Sequence, residues 1–377
     1  MLKLEALDAE SGDCLLLHHG SDGAPGLILI DGGMPGAYLS SLKPRLLSLR
    51  AERDPQEKEP LPLDLVVITH VDRDHIGGIV EMLDDLYEDK KRKRSRYCQI
   101  DEVWFNAFDD LAKDAEWRRV EDAASTGVPS CVALAASIKE GVHLRDTAAF
   151  LGMSVNASFP SKFAACPKAS CLSVDWGDVQ ITLLGPTSEE LEAFEQDWRR
   201  WLANGAVGGA GKINDSSIAL LIEAEATPGE NRTFLLPGDT HGDILLRQLE
   251  LLGSLPVNGQ CDIDVFKLPH HASDRSVTKE LLERVRAEHY IISADGSNGN
   301  PDERTLQWLW EARGPGSYTV HVTFPRDAHL AVTGTSQKER ARAATLERAQ
   351  KQLDGYRGLN VEYGRPGPER LSVDLSA

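Results

Sequence analysis

The 377-residue sequence predicts an α/β fold, a four-layer αββα sandwich in which two β-sheets pack face to face with helices outside. Three observations predict it. Short apolar, β-branched runs recur in both halves of the chain, helix-period segments interrupt them, and no internal repeat of solenoid period is visible. Hydrophobic residues make up 41%, enough for a large core and too many for general disorder.

Residues 13–19 and 27–31 are apolar runs separated by Gly, Asp and Pro, and read as a β-hairpin. Asp31-Gly32-Gly33 breaks the second strand. Leu39, Leu42, Leu46 and Leu49 give residues 37–50 helical spacing, and the charged, Pro-rich 51–62 stretch is a surface loop. Leu63 to Thr69 is a buried strand, followed from about Ile76 by a helix carrying Ile79, Met82, Leu83 and Leu86. Residues 87–170 read as an insertion. They hold the basic run Lys90 to Arg96, a strand over 100–105 and helical stretches near 109–125 and 130–150. Core strands resume with the alternating 172–184 stretch. A helix over 188–203 and a Gly-rich loop, Gly205 to Gly211, come next. Strands are expected at 217–222, 233–236, 264–268 and 290–293, with helices at 242–252, 276–287 and 303–312. One domain then spans 1–335, and residues 336–377 form a C-terminal helix and a tail packed on it.

Acids outnumber bases 59 to 41, for a formal charge of −18. A protein that coats nucleic acid or anionic membrane by bulk charge has the opposite balance, so a polyanionic substrate must be gripped locally. The six cysteines are dispersed without a CxxC pair. No apolar run approaches about 18 residues, which speaks against a membrane span. No basic segment followed by an apolar stretch marks a signal peptide, and a reducing cytoplasm is the expected home.

The chemistry concentrates in Thr69-His70-Val71-Asp72-Arg73-Asp74-His75-Ile76-Gly77-Gly78, where a buried strand ends and a helix begins. Four metal-capable side chains lie within six residues on one tight connection, and Gly77-Gly78 is expected to let the backbone pass close to a bound ion. Further along come Leu236-Pro237-Gly238-Asp239 and Lys267-Leu268-Pro269-His270-His271-Ala272-Ser273.

This ordered set resembles the metallo-β-lactamase fold superfamily, whose signature loop usually reads His-x-His-x-Asp-His. Asp72 in place of the second His, Asn214-Asp215-Ser216-Ser217 and the His-His-x-Ser run are similar to the nuclease domain of ComEC-type competence proteins and their free-standing relatives. Ala272 stands where those relatives usually carry Gly, and Asn300 where they often carry His. The resemblance implies two divalent metal ions. One would be held by His70, Asp72 and the bridging Asp239, completed by Asn214 or Asp215. The other would be held by Asp74, His75, His271 and Asp239. Asp31 would support a ligand from behind. Carboxylate in place of imidazole hardens the first position, which favours Mn²⁺, with Zn²⁺ as the alternative. Two ions about 4 Å apart can activate water for phosphodiester cleavage, with Asp74 taking its proton. His270 has two readings, a ligand or general acid near the metals, or a packed neighbour of His271. Asp215 is either a ligand or a loop cap.

The expectation is therefore a metal-dependent phosphodiesterase acting on nucleic acid, DNA ahead of RNA, without a membrane role. A hydrolase of small esters, thioesters or lactams is the alternative. The run Lys90, Lys91, Arg92, Lys93 and Arg94 reads as a solvated loop, a phosphate-gripping loop, or a cleavage site through which a trypsin-like protease switches the enzyme on. Ser273 is a further substrate-binding candidate.

Overall fold

The computed structural model describes residues 1–106, 129–203 and 213–376 apart from positions 22, 162, 228, 366 and 368. In chain order the first half contains β1 (Lys3–Leu7), β2 (Leu15–Ser21), β3 (Ala24–Ile30), α1 (Lys43–Arg53), β4 (Leu61–Val67), α2 (Arg73–Lys91), β5 (Cys98–Trp104), α3 (Pro129–Leu151) and β6 (Ser154–Val155). Then come β7 (Leu172–Trp176), β8 (Val179–Gly185), α4 (Ser188–Ala203), β9 (Ala219–Thr227), β10 (Glu230–Leu236), α5 (Gly242–Leu252), β11 (Cys261–Lys267), α6 (Lys279–Arg284) and β12 (Val285–Ile292). The chain closes with α7 (Glu303–Arg313), β13 (Thr319–Pro325), α8 (Ala328–Ala331), α9 (Gln337–Gly355), β14 (Asn360–Gly364) and β15 (Glu369–Asp374).

The strands form two sheets, ordered β15-β1-β2-β3-β4-β5-β6 and β14-β13-β12-β11-β10-β9-β8-β7. Alternation along each strand divides the apolar side chains into three layers of core. On β3, Leu27 and Leu29 face α1 and α2, while Ile28 and Ile30 face the second sheet. On β12, Ile291 joins the layer between the sheets, and Tyr290 and Ile292 pack toward the opposite helices. Strands buried on both faces explain why these runs read as continuously apolar. The four-layer sandwich expected from the sequence is thus the observed architecture.

Tertiary pairing moved several elements. The expected 276–287 helix is only the short α6, because Val285, Arg286 and Ala287 pair in register with Cys261, Asp262 and Ile263 of β11. Within the 87–170 stretch, β5 lies beside β4 in the first sheet and α3 packs on α2. The helical reading near 109–125 and the 205–211 loop lie outside the described residues. The C-terminal segment supplies strands as well as a helix: β15 pairs antiparallel with β1, and β14 extends the second sheet. No helix among the described residues is long and apolar enough to cross a membrane.

A buried histidine ties the two sheets together. His19 on β2 places Nε2 3.1 Å from Asp64 on β4 and Nδ1 2.7 Å from Asp178, in the β7–β8 turn of the other sheet. Burial lowers the His19 pKa, but the two carboxylates outweigh it and raise it above the ordinary value. An imidazole whose folded pKa is raised stabilises fully below its unfolded pKa of about 6.5 and loses that contribution as pH rises through the folded value. Discounting for the exposed side of Asp178, His19→Ala should cost about 1–2 kcal/mol near pH 6. Thermal melts across pH should show this gap narrowing above about pH 6.5; a gap that widens with pH would contradict it.

Candidate metal centre

The site lies where strand ends meet. β3 runs parallel to β4, and β10, β11 and β12 run parallel to one another, so their C-terminal ends open on one edge, the usual place for a ligand in such sheets. Asp31 follows β3, and His70 follows β4. Asp72 is the N-cap of α2, which puts Asp74 and His75 in its first turn. Asp239 follows β10, and His270 and His271 follow β11. The first turn of α2 packs directly on the Asp31 loop. Gly32 N–H donates to the His75 carbonyl at 2.8 Å, and a Cβ on Gly78 would lie 2.0 Å from the Gly32 carbonyl oxygen. Gly77 and Gly78 therefore serve the seating of the helix on the loop, rather than passage of backbone near an ion.

Asp31 organises the imidazoles from behind. Its carboxylate accepts from Thr69 N–H at 2.7 Å, from Thr69 Oγ1–H at 2.7 Å and from His75 Nδ1–H at 2.8 Å. With its proton on Asp31, the Thr69 hydroxyl accepts from His70 Nδ1–H at 3.1 Å. His271 Nδ1–H donates to the Ser293 carbonyl at 3.0 Å. All three rings thus keep their proton on Nδ1, so a cation that displaces any proton from Nε2 would meet the lone pair a metal ligand needs.

Those lone pairs converge on Asp239. His75 Nε2 lies 3.4 Å and His271 Nε2 4.0 Å from Oδ1, while His270 Nε2 lies 3.6 Å and His70 Nε2 3.8 Å from Oδ2. Asp72 approaches His70 Nε2 at 3.8 Å, and Asp74 approaches His271 Nε2 at 3.5 Å. The Nε2 atoms of His70, His75 and His271 and Oδ1 of Asp239 are buried without a hydrogen-bond partner. Orphaned polar atoms are costly, and these separations suit two donors bound to one ion at about 2.1 Å better than they suit hydrogen bonds. His70–His75–Asp239 and Asp74–His75–His271 each bring three ligand atoms within 4.8 Å of one another. The residues present therefore fit divalent cations on either side of Asp239.

The electrostatics agree. Burial and the neighbouring Asp74 and Asp239 carboxylates push the Asp72 carboxyl up to about 7. Burial also raises Asp74, but the adjacent His271 and His75 imidazoles outweigh it and bring its pKa to about 2. Asp239 is likewise held well below the carboxylate range by His75 and His271, against its burial. Burial lowers His75 and His271, but Asp239 with Asp31 raises the first well above the ordinary range and Asp13 with Asp239 raises the second to about 10, so a proton stands in for a cation on these rings. Burial and the His75 charge press His70 down to about 3, which keeps it neutral. Crowded carboxylates and a neutral ring are what a bound cation requires.

His270 reaches the group through its ring: Nδ1 meets Ser276 Oγ at 3.0 Å and the Asn214 amide at 3.2 Å, leaving Nε2 toward Asp239. His270, His271 and Ala272 have φ of 51°, 54° and 63°, a left-handed turn that accounts for Gly in the resembling motif. Asn300 donates its amide to the His270 carbonyl at 3.4 Å. The side chain of Asp215 lies outside the described residues. Ser273 is buried, its hydroxyl 3.3 Å from Asp302. The basic run sits at the far end of α2, about 22 Å along the helix axis from His75. There Lys91 and Arg92 pair with Glu88, Arg94 pairs with Asp89, and Lys90 donates to the Phe150 carbonyl. The structure does not bring that run or Ser273 into the group. It does bring in Thr69, Asp13 and Lys267, which sequence reasoning left without a role. The one available hint was an Asp beside Gly at the start of an apolar strand, Gly12-Asp13-Cys14.

Fold and site together define an αββα protein with a cluster of His and Asp able to hold metal at the sheet edge. Residues 8–87, which include Asp13, Asp31 and the His70–His75 loop, match the model of the metallo-beta-lactamase superfamily. No curated protein matches the chain. The match and the fold support that superfamily, whose members are mostly metal-dependent hydrolases.

Asp31→Asn removes one acceptor from a network that fixes two rings, and should weaken divalent-ion binding about 10–100-fold in chelator competition. Gly238 has φ 56°, and a Cβ there would lie 2.8 Å from Thr69 Cβ. Gly238→Ala should therefore lower stability by at least about 1–2 kcal/mol in denaturant unfolding; an unchanged midpoint would refute the packing argument.

Proposed function

We propose that the chain is a metal-dependent hydrolase of phosphodiester bonds, with DNA as its substrate. The observation that carries the hydrolase reading is the convergence of orphaned Nε2 atoms on the two oxygens of Asp239. His70, Asp72, His270 and Asp239 would hold one divalent ion; Asp74, His75, His271 and Asp239 would hold the other. Such ions supply Lewis-acid polarisation of a phosphodiester oxygen and lower the pKa of water at the site. Asp74 is ionised and a quarter exposed at the mouth, so it is available to accept a proton from the attacking water. Asp31 and Thr69 keep His75 and His70 in register while charge develops. The sequence-based case for Mn²⁺ rested on a shortage of imidazole at the first position. His270 supplies that imidazole, so both positions offer two nitrogens and two carboxylates, and Zn²⁺ stands beside Mn²⁺ as the working ion.

The phosphodiester class is supported by the Asp72-x-Asp74-His75 pattern, the Asn214 run and the His270-His271-x-Ser273 run, which resemble the competence nuclease domains. The −18 charge is compatible with such a substrate only through local contact, which makes cleavage sensitive to salt. A plasmid-nicking assay with Mn²⁺, Zn²⁺ or EDTA, run beside a chromogenic β-lactam, tests the proposal. Metal-dependent nicking should fall to background in Asp74→Ala and His75→Ala while both variants still melt cooperatively. Nicking that survives EDTA or both substitutions, or lactam turnover without nicking, would overturn it.

A further inference from the structure

A charged pair lies buried beneath the imidazoles. Lys267 on β11 is 1% exposed between the apolar Phe266 and Leu268, and its ammonium pairs with the carboxylate of Asp13, itself 2% exposed. The other Asp13 oxygen is 3.4 Å from His271 Nδ1, and the paired one is 3.9 Å from His75 Nδ1. Asp13, Asp31 and His75 form a third buried group whose ligand atoms lie within 4.8 Å of one another. That group has the donors for a cation, and the ammonium of Lys267 already answers one of them. A buried ion pair is seldom retained for stability, since an apolar pair of similar volume is often as good.

We infer that Lys267 is a resident cation of the centre: it fills the charge requirement of the Asp13–Asp31–His75 group, denies that group to a divalent ion, and so confines metal to the two positions flanking Asp239. A divalent ion on the third group would compete for His75 Nδ1 and break its hydrogen bond to Asp31, which aims Nε2 at Asp239. The paired ammonium prevents this without leaving Asp13 as an uncompensated charge. Because it deepens the metal-dependent reading of the site, the inference rests on that reading.

The sign of the effect on metal binding separates this role from mere packing. Wild type, Lys267→Met, Asp13→Asn and the double variant would be loaded with Mn²⁺, and separately with Zn²⁺. Metal content would be measured by mass spectrometry, affinity by chelator competition, and folding by thermal melts. Lys267→Met should bind one ion more than wild type and take up its first ion at least about tenfold tighter, because a fixed positive charge is gone. Asp13→Asn should bind at least about tenfold more weakly. The double variant, with both charges removed, should keep the wild-type number of ions and an affinity within about threefold. A packing role predicts weaker binding in all three. A folded Lys267→Met protein with the wild-type number of ions and equal or weaker affinity would overturn the inference. If Lys267→Met does not fold, the double variant decides: folded with wild-type metal content supports the inference, and unfolded or more than about tenfold weaker overturns it. Wild type that binds neither ion would instead refute the metal-dependent reading itself.

Discussion

The three hydrogen bonds accepted by Asp31 are the interaction on which the metal centre depends. Two of them come from Thr69 and one from His75, so one carboxylate fixes a backbone turn, a hydroxyl and two imidazole tautomers. Burial and the neighbouring Asp13 hold the Asp31 pKa above the ordinary carboxylate value, although His75 and Thr69 favour the charged form. The residue holds a left-handed φ of 58° at the end of β3, a conformation an Asp tolerates better than most side chains. If that carboxylate turned away, His75 would lose the partner of its Nδ1 proton, and Thr69 would be free to donate to His70 instead of accepting from it. Ligands would remain present in composition and be lost in direction.

The fold serves this arrangement by delivering strand ends to one edge. Parallel pairing within each sheet puts Asp31 and His70 on one side and Asp239, His271 and Ser293 on the other. Short hydrogen bonds then stitch the sides together: Ile218 N–H to the Thr69 carbonyl at 2.8 Å and Ser293 Oγ–H to the Gly12 carbonyl at 2.7 Å. The site is therefore a property of the seam between sheets, and each half alone holds an incomplete donor set. The packing that stabilises the sandwich is also the packing that sets donor separations.

Much of this was legible in the sequence because strand, turn and ligand types coincide locally. The His70–His75 loop could be read since a β-branched strand ends in donors and a helix follows at once. The separate motifs around Asp31, Asp239 and His271 could be placed in order for the same reason. What escaped reading depends on distant partners. β15 pairs with β1 across nearly the whole chain, and nothing local in Glu369–Asp374 specifies that partner. Val285 to Ala287 continues a helical spacing, yet β11 draws it into the sheet. His270 could be assigned either to the site or to its neighbour until Ser276 and Asn214 were seen to turn its ring. Asp13 belongs to no motif and Lys267 reads only as the lead-in to the His270-His271 run, and their pairing appears only when the start of β2 and the end of β11 bring them under the same two imidazoles.

The acidic composition acquires a local explanation in part. Asp13, Asp31, Asp72, Asp74 and Asp239 gather at one seam, where imidazoles, an ammonium and divalent ions would balance them. The rest of the −18 charge works against bulk attraction of a polyanion. Anomalous diffraction from crystals soaked in Mn²⁺ or Zn²⁺ would test the central claim most directly. The structure predicts peaks flanking Asp239, one against His70, Asp72 and His270 and one against Asp74, His75 and His271. Peaks elsewhere, or none beside Asp239, would contradict the account.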